Sequence, residues 1–300
     1  PFLACRHLGI VLLAATLAAF GTTARARPAD GPCQVEKQLN VGAKMRDGVT
    51  LYADVYRPKA AGNYPVILMR LPYNKDAAQT YVYASPQFYA SHCYVVVIQD
   101  VRGQYASEGL FYAFRDEAKD GYDTIEWAAK QKWSDGKVAM QGGSYLGQNQ
   151  WRAAQAAPPS LVTIFPMVAS TSIYHDWITV NGAWRLSFNF GWGPVRQESR
   201  IMQNPGAHTI DGLHAIHYDE VQRHLPLNTM QQLVGRRAKF YDDWLANPDY
   251  NAYWKPLNVE DMFAKVAVPV HTFGGWFDIF SQGTLRGYVG MSHKGATERV

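Results

Sequence analysis

The chain has 300 residues, 47% of them hydrophobic and 18% charged, with a formal net charge of +4. That balance excludes a disordered chain and fits one large domain, or a domain with an insertion. The positive charge is spread without a long basic run, so nucleic-acid binding finds no support.

Residues 1–26 hold Arg6, an apolar run from Leu8 to Phe20, and Ala24-Arg25-Ala26. A basic region, a short hydrophobic region and a small-x-small site in that order read as a secretory signal peptide. The expected location is therefore secreted or periplasmic, with no stable membrane span once the segment is removed. A membrane anchor is the alternative, although the apolar run is short for a bilayer. Cys5 leaves with that segment. Cys33 and Cys93 remain, either as one bridge in an oxidising compartment or as two separate thiols.

From residue 34 to 57 the pattern is an antiparallel hairpin turning at Asp47-Gly48. Leu51, Ala53 and Val55 alternate with Tyr52, Asp54 and Tyr56, the period of a half-buried strand. Pro65 to Arg70 is a continuous apolar run that leads into Leu71-Pro72-Tyr73. A helix is expected around 85–91, followed by the strand Tyr94 to Asp100 with its consecutive valines. Over 115–131, Ala118, Tyr122, Ile125 and Ala129 fall at helical spacing and predict one apolar face.

Next comes Val138-Ala139-Met140-Gln141-Gly142-Gly143-Ser144-Tyr145-Leu146-Gly147. A short apolar strand meets two glycines, a serine, and then the alanines and long straight side chains of a helix. A serine on a sharp strand-to-helix turn needs small neighbours and a strained backbone, the requirements of a nucleophile elbow. The following helix N-terminus would offer N–H groups to an oxyanion formed when Ser144 attacks a carbonyl. An ordinary Gly-Gly-Ser turn is the competing reading. Glycine stands at 147 and Leu146 takes the place where the usual elbow has its second glycine.

Strands alternate with helices from 65 to 168, which predicts parallel βαβ units in a doubly wound sheet. Tyr73, Asp100 and Ser144 all fall at carboxyl strand ends, where such sheets bind ligands. The first part of this core is expected over 35–170. Residues 171–262 break the pattern and read as an inserted helical cap, and 263–300 as a second, incomplete part of the core. Trp177 and Trp184 in the cap, with Trp276 and Phe277 beyond it, are candidate substrate-pocket residues. Packing of the cap's own small core is the equal alternative for any single tryptophan. His208, His214, His217 and His224 lack metal-ligand spacing, so no metal and no cofactor are expected.

The sheet is expected to resume over Val266 to Phe273, followed by Gly274-Gly275-Trp276-Phe277-Asp278. Asp278 past a strand end, after the serine in chain order, suits a triad acid that orients an imidazole. It equally suits a loop aspartate capping the helix expected at 281–292.

Five motifs in order carry a family resemblance. They are Met45-Arg46-Asp47-Gly48-Val49-Thr50-Leu51, Arg70-Leu71-Pro72-Tyr73, Gln99-Asp100-Val101-Arg102-Gly103 with Ser107-Glu108-Gly109, the elbow, and Gly274 to Asp278. The chain resembles, from about 35 to 300, the α/β-hydrolases of the cocaine esterase (CocE/NonD) and Xaa-Pro dipeptidyl-peptidase group. The resemblance implies an α/β-hydrolase fold with Ser144 as nucleophile and Asp278 as triad acid. It implies an oxyanion hole from the Tyr145 backbone N–H and the Tyr73 phenol. Asp100 and Arg102 would hold the loop beside the site. The group's catalytic histidine, in a Gly-Pro-Trp-x-His stretch, would fall beyond Val300, as would its C-terminal jelly-roll domain; His271 and His293 are poorly placed to replace it. Both ends are therefore expected to be incomplete, and the 300-residue chain alone inactive or nearly so.

Two classes of function follow. One is a secreted serine hydrolase acting on a small-molecule or short-peptide acyl substrate, with esterase, β-lactam acylase and Xaa-Pro dipeptidyl-peptidase all open and a neutral ester or acyl group favoured. The other is a catalytically inactive hydrolase fold that binds a ligand or partner.

Overall fold

The computed structural model describes residues 32–76, 85–197, 218–233 and 237–294. Six strands form one sheet: β1 (Val35–Lys44), β2 (Thr50–Pro58), β3 (Tyr64–Leu71), β4 (Val95–Asp100), β5 (Ser134–Gly143) and β6 (Leu161–Met167). Their spatial order is β1-β2-β4-β3-β5-β6. β1, β2 and β4 pair antiparallel, while β4, β3, β5 and β6 run parallel. The crossovers are the helices α1 (Pro86–Ser91), α2 (Glu117–Ala129) and α3 (Tyr145–Gln155).

The valine run of β4 shows why the sheet is covered on both faces. All six of its residues are buried. Val95 and Val97 pack with Ile125, Ala128 and Trp151 on one side. Val96 and Ile98 pack with Phe114, Tyr145 and Trp177 on the other. Each such side chain taken out of water contributes about 1.5–3 kcal/mol, so the central strands anchor both layers.

The face that α2 buries differs from the expected one. Glu117, Asp120, Gly121, Thr124, Ile125 and Ala128 point inward, while Ala118, Tyr122 and Ala129 are only half-buried. The reason is charge pairing. Arg70, fully buried on β3, meets Glu117 at 2.6 Å, and Arg102 meets Asp120 at 2.6 Å.

Cys33 and Cys93 form a disulfide with their Cα atoms 5.5 Å apart. It ties the chain ahead of β1 to the turn after α1. That settles the choice between a bridge and two thiols.

Residues 171–262 contain short elements. A π-helical turn at Ile173–Ile178 leads to the two-residue strands β7 (Thr179–Val180) and β8 (Ala183–Trp184). Among the described residues four short α-helices follow: α4 (Leu186–Phe190), α5 (Tyr218–Gln222), α6 (Met230–Leu233) and α7 (Lys239–Ala246). Aromatic rings of α4 and α7 join the cluster that holds Phe114 and Tyr145 of the core. The last described helix is α8 (Ser281–Lys294).

The strand expected over 266–273 is reduced to two isolated parallel bridges, Ile164 with Val270 and Met167 with Phe273. Pro166 and Pro269 interrupt the ladder, because proline has no N–H to give. Their carbonyls still accept, from Phe273 N–H at 3.3 Å and from Ile164 N–H at 3.2 Å. Among the described residues no helix is long and apolar enough to cross a membrane. Residues 1–26, which carry the signal-peptide reading, lie outside the described residues, as do His208, His214 and His217.

Candidate active site

Ser144 sits between the end of β5 and the start of α3 with φ 59° and ψ −124°. A residue with a Cβ reaches that region only under constraint, at a cost of about 1–3 kcal/mol. The constraints are visible. Ser144 N–H donates to Met167 O at 3.0 Å, and Ser144 O accepts from Gly147 N–H and Gln148 N–H at 2.9 and 3.1 Å. The serine begins the helix, yet its hydroxyl makes no capping hydrogen bond to it. Half-buried at the turn, it is left for other work.

The two outer glycines of the elbow each answer a close approach. Gly142 has φ 136°, and a Cβ there would lie 2.6 Å from Leu146 Cβ. At Gly147 a Cβ would lie 2.4 Å from Ala169 Cβ. The unusual spelling thus follows from packing: Leu146 lies over Gly142, and the next residue must be bare where α3 passes Ala169. Gln150 fastens the same corner, donating to Gly142 O at 3.0 Å and accepting Phe165 N–H at 2.8 Å.

The neighbouring strand ends bring the other expected residues to the same edge of the sheet. β3, beside β5, ends at Leu71 and leads to Tyr73, whose ring meets the Tyr145 ring edge-on at 6.5 Å. Asp100, wholly buried at the end of β4, holds the turn after Tyr73. Its carboxylate accepts Lys75 N–H at 2.8 Å and pairs with Lys75 Nζ at 3.1 Å. Burial pushes the Asp100 carboxyl up, and Lys75 opposes that. Arg102 grips Asp120 through two hydrogen bonds of 2.9 and 2.6 Å and reaches Asp47 at 2.9 Å. Beyond β6, Val168 N–H donates to Phe273 O at 2.6 Å, which places the 270–273 segment next in line.

Asp278 follows that segment. It is half-buried, its Oδ1 accepting Phe280 N–H at 2.8 Å and its N–H donating to Gly275 O at 3.1 Å. The carboxylate therefore fixes the turn just ahead of α8. Arg185 lies near enough to feel its charge. Among the described residues no histidine hydrogen-bonds to Asp278 or Ser144. His271 and His293 are exposed.

The Tyr145 side chain points away from the turn into the core. Its hydroxyl donates to Glu117 Oε1 at 2.9 Å and accepts Phe114 N–H at 3.0 Å. Burial holds the phenol far above its ordinary pKa, with the Glu117 charge acting the same way. Only its backbone N–H remains to serve an oxyanion. Asn149 adds a second tie between α3 and β3 by donating to Arg70 O at 2.8 Å.

The four expected pocket residues separate. Trp177 is fully buried, stacked on Phe280 at 5.0 Å and edge-on to Phe114 at 4.9 Å. It fills the aromatic core and lines no open pocket, because every face of the ring has a neighbour. Trp184 is half-buried against Tyr241 at 5.9 Å. Trp276 and Phe277 go the other way, 86% and 103% exposed on the loop before Asp278. In this arrangement they enclose nothing. His224, the one described member of the histidine group, meets Thr229 Oγ1 at 2.7 Å. Among the described residues no cluster of His, Cys, Asp and Glu could hold a metal ion.

Glu117, Gln150 and Lys75 lie outside the motifs that point to the site in the sequence. For Glu117 a signal existed: 117, 120, 121, 124, 125 and 128 also form a helical stripe, which a search for apolar residues alone overlooks.

The family model for the X-Pro dipeptidyl-peptidase (S15 family) matches residues 47–299. The chain belongs to the S15 family. Among curated S15-like relatives, the cocaine esterase of Rhodococcus sp. is 34% identical over 84% of this chain and 46% of its own length. A serine esterase of Mycobacterium bovis, itself described as putative, is 29% identical over half of this chain and 27% of its own. The chain thus spans about half the length, or less, of the curated relatives it matches. A CocE/NonD family hydrolase from Staphylococcus aureus superposes with a TM-score of 0.66 at 23% identity, covering 88% of this chain and 45% of that one. An α-amino acid ester hydrolase gives 0.63 at 25% identity, covering 91% and 48%. The S15 chain has the α/β-hydrolase fold that the resemblance implied.

Proposed function

We propose that the protein is an exported serine hydrolase that cleaves an ester or amide through an acyl-enzyme on Ser144. One observation carries the proposal: a serine held at φ 59° on the strand-to-helix corner of an S15-family α/β-hydrolase fold, its hydroxyl unused by the helix it begins. In the proposed reaction a histidine base from outside the described residues takes the Ser144 proton as Oγ bonds to the acyl carbon. The oxyanion is met by the Tyr145 backbone N–H and the Tyr73 phenol. The leaving alcohol or amine departs with the proton, and water then releases the acid. Asp278 is assigned the role of holding the imidazole in its correct tautomer.

The 34% identity to a cocaine esterase supports a neutral acyl ester as substrate. Xaa-Pro dipeptides and β-lactam acyl groups are the alternatives. The Cys33–Cys93 disulfide supports an oxidising compartment, in keeping with the basic and apolar segment at 1–26.

The test is covalent labelling. The full-length protein treated with a fluorophosphonate is expected to carry one adduct on Ser144 by peptide mass spectrometry, and Ser144→Ala to carry none. No adduct on Ser144 would overturn the catalytic reading in favour of a binding protein. Turnover of p-nitrophenyl esters against Xaa-Pro anilides then sorts the substrate classes.

A further inference from the structure

The phenol assigned to the oxyanion is not left to itself. Trp192, in the π-helical turn Gly191–Gln197, donates its indole N–H to Tyr73 Oη at 3.0 Å. The indole is 5% exposed and cannot swing away. It stacks on Tyr145 at 5.5 Å and 17°, and on Phe114 at 5.8 Å and 9°. Trp177 meets it edge-on at 5.0 Å.

An indole N–H only donates, and a phenol has one proton and oxygen lone pairs. Two protons repel, so the hydrogen bond from Trp192 turns the Tyr73 proton away from the indole. Accepting that bond also polarises the phenol and makes its own O–H a stronger donor. The ring stack meanwhile sets Trp192 against Tyr145, the residue whose backbone N–H is the other assigned oxyanion donor. One side chain therefore meets both residues, the Tyr73 hydroxyl by hydrogen bond and the Tyr145 ring by stacking.

We infer that Trp192 is a positioning residue that aims and strengthens the Tyr73 hydroxyl for the oxyanion, so that the turn carrying it completes a site built on the sheet. The inference rests on the assignment of Tyr73 made above. It concerns the transition state, so it predicts an effect on kcat and little on KM.

A double-mutant cycle tests it in the full-length protein with p-nitrophenyl butyrate as probe. Tyr73→Phe is expected to lower kcat by about 10²–10³. Trp192→Phe keeps a stackable ring and loses the N–H. It is expected to lower kcat by about tenfold, the rate equivalent of one ordinary hydrogen bond, with KM within about twofold. Added to Tyr73→Phe, Trp192→Phe is expected to cost nothing further, because the atom it acts through is gone. Should Trp192→Phe fold poorly, benzothienylalanine at 192 keeps the bicyclic shape and replaces N–H by sulfur, and the same non-additivity is expected.

The failures differ. If Tyr73→Phe leaves kcat unchanged, the assignment of Tyr73 falls and this inference with it. If Tyr73→Phe slows the reaction and the loss of the 192 N–H does not, the inference alone is overturned. Equal losses at 192 in both backgrounds would also overturn it, since Trp192 would then act by packing or by touching substrate.

Discussion

Glu117 and Tyr145 share a buried hydrogen bond of 2.9 Å, and the other oxygen of the same carboxylate meets Arg70 at 2.6 Å. One carboxylate on α2 thus joins the residue after Ser144 to the strand that leads to Tyr73. The relative position of those two elements decides whether the two proposed oxyanion donors can converge. Replacing Glu117 by Gln keeps an acceptor for the tyrosine but leaves the Arg70 guanidinium buried without a countercharge. The expected loss is about 3 kcal/mol of stability, read as a shift of the urea midpoint. The double variant Arg70→Met with Glu117→Gln is expected to recover much of it. A Glu117→Gln protein as stable as the parent would show that the ion pair contributes nothing.

Gly147 faces Ala169 so closely that an added methyl would sit 2.4 Å from the Ala169 methyl. Gly147→Ala is therefore expected to destabilise the fold by about 1–3 kcal/mol, the usual cost of overpacking. Ala169→Gly in the same chain is expected to restore most of the loss. Differential scanning calorimetry of the three variants checks this, and a Gly147→Ala protein with unchanged Tm would contradict the packing account.

The backbone at Ser144 stores strain that glycine would not feel. Ser144→Gly is expected to be more stable than Ser144→Ala by about 1 kcal/mol, because only the alanine keeps a Cβ at φ 59°. Both are expected to lack hydrolase activity and fluorophosphonate labelling. Equal melting temperatures for the two would mean that the elbow is relaxed.

Asp123 gives the pH dependence. Burial tends to raise its carboxyl, but hydrogen bonds from the Arg46 guanidinium and backbone outweigh that and hold it below its ordinary 3.8. A depressed carboxylate stabilises the fold above its unfolded pKa, and that contribution is lost as pH falls through the folded value. The contact joins the β1–β2 turn to α2 and is partly exposed on the Arg46 side, so about 1 kcal/mol is expected. Asp123→Asn is expected to lose that amount at pH 7, and the gap to the parent to shrink as pH falls below 3.8. Urea titrations at pH 7 and pH 3 read the difference. A gap that stays constant would place the effect outside this ionisation.

Local rules made much of the sheet legible. The β1–β2 hairpin was readable from Asp47-Gly48 and from alternation in β2, and β4 from its valines. The sharp strand-to-helix turn at Ser144 was readable because two glycines and a serine separate an apolar run from helix formers. The strand over 266–273 was overcalled, since apolar residues there suggested a ladder that two prolines break. Trp177 was assigned to a pocket and belongs to the core, because composition cannot say which side of an aromatic ring is filled.

The sequence by itself determined the order of strands and helices and the place of Ser144 at a corner. These depend on neighbours along the backbone: glycine's freedom, β-branched runs and turn residues act within a few positions. Only the tertiary structure decided that Glu117 and Asp120 face inward, that Asp100 grips Lys75, and that Trp192 reaches Tyr73. Each of these joins residues far apart in the chain. A buried charge or polar hydrogen is stable only beside its partner, and that partner is chosen by how the layers pack.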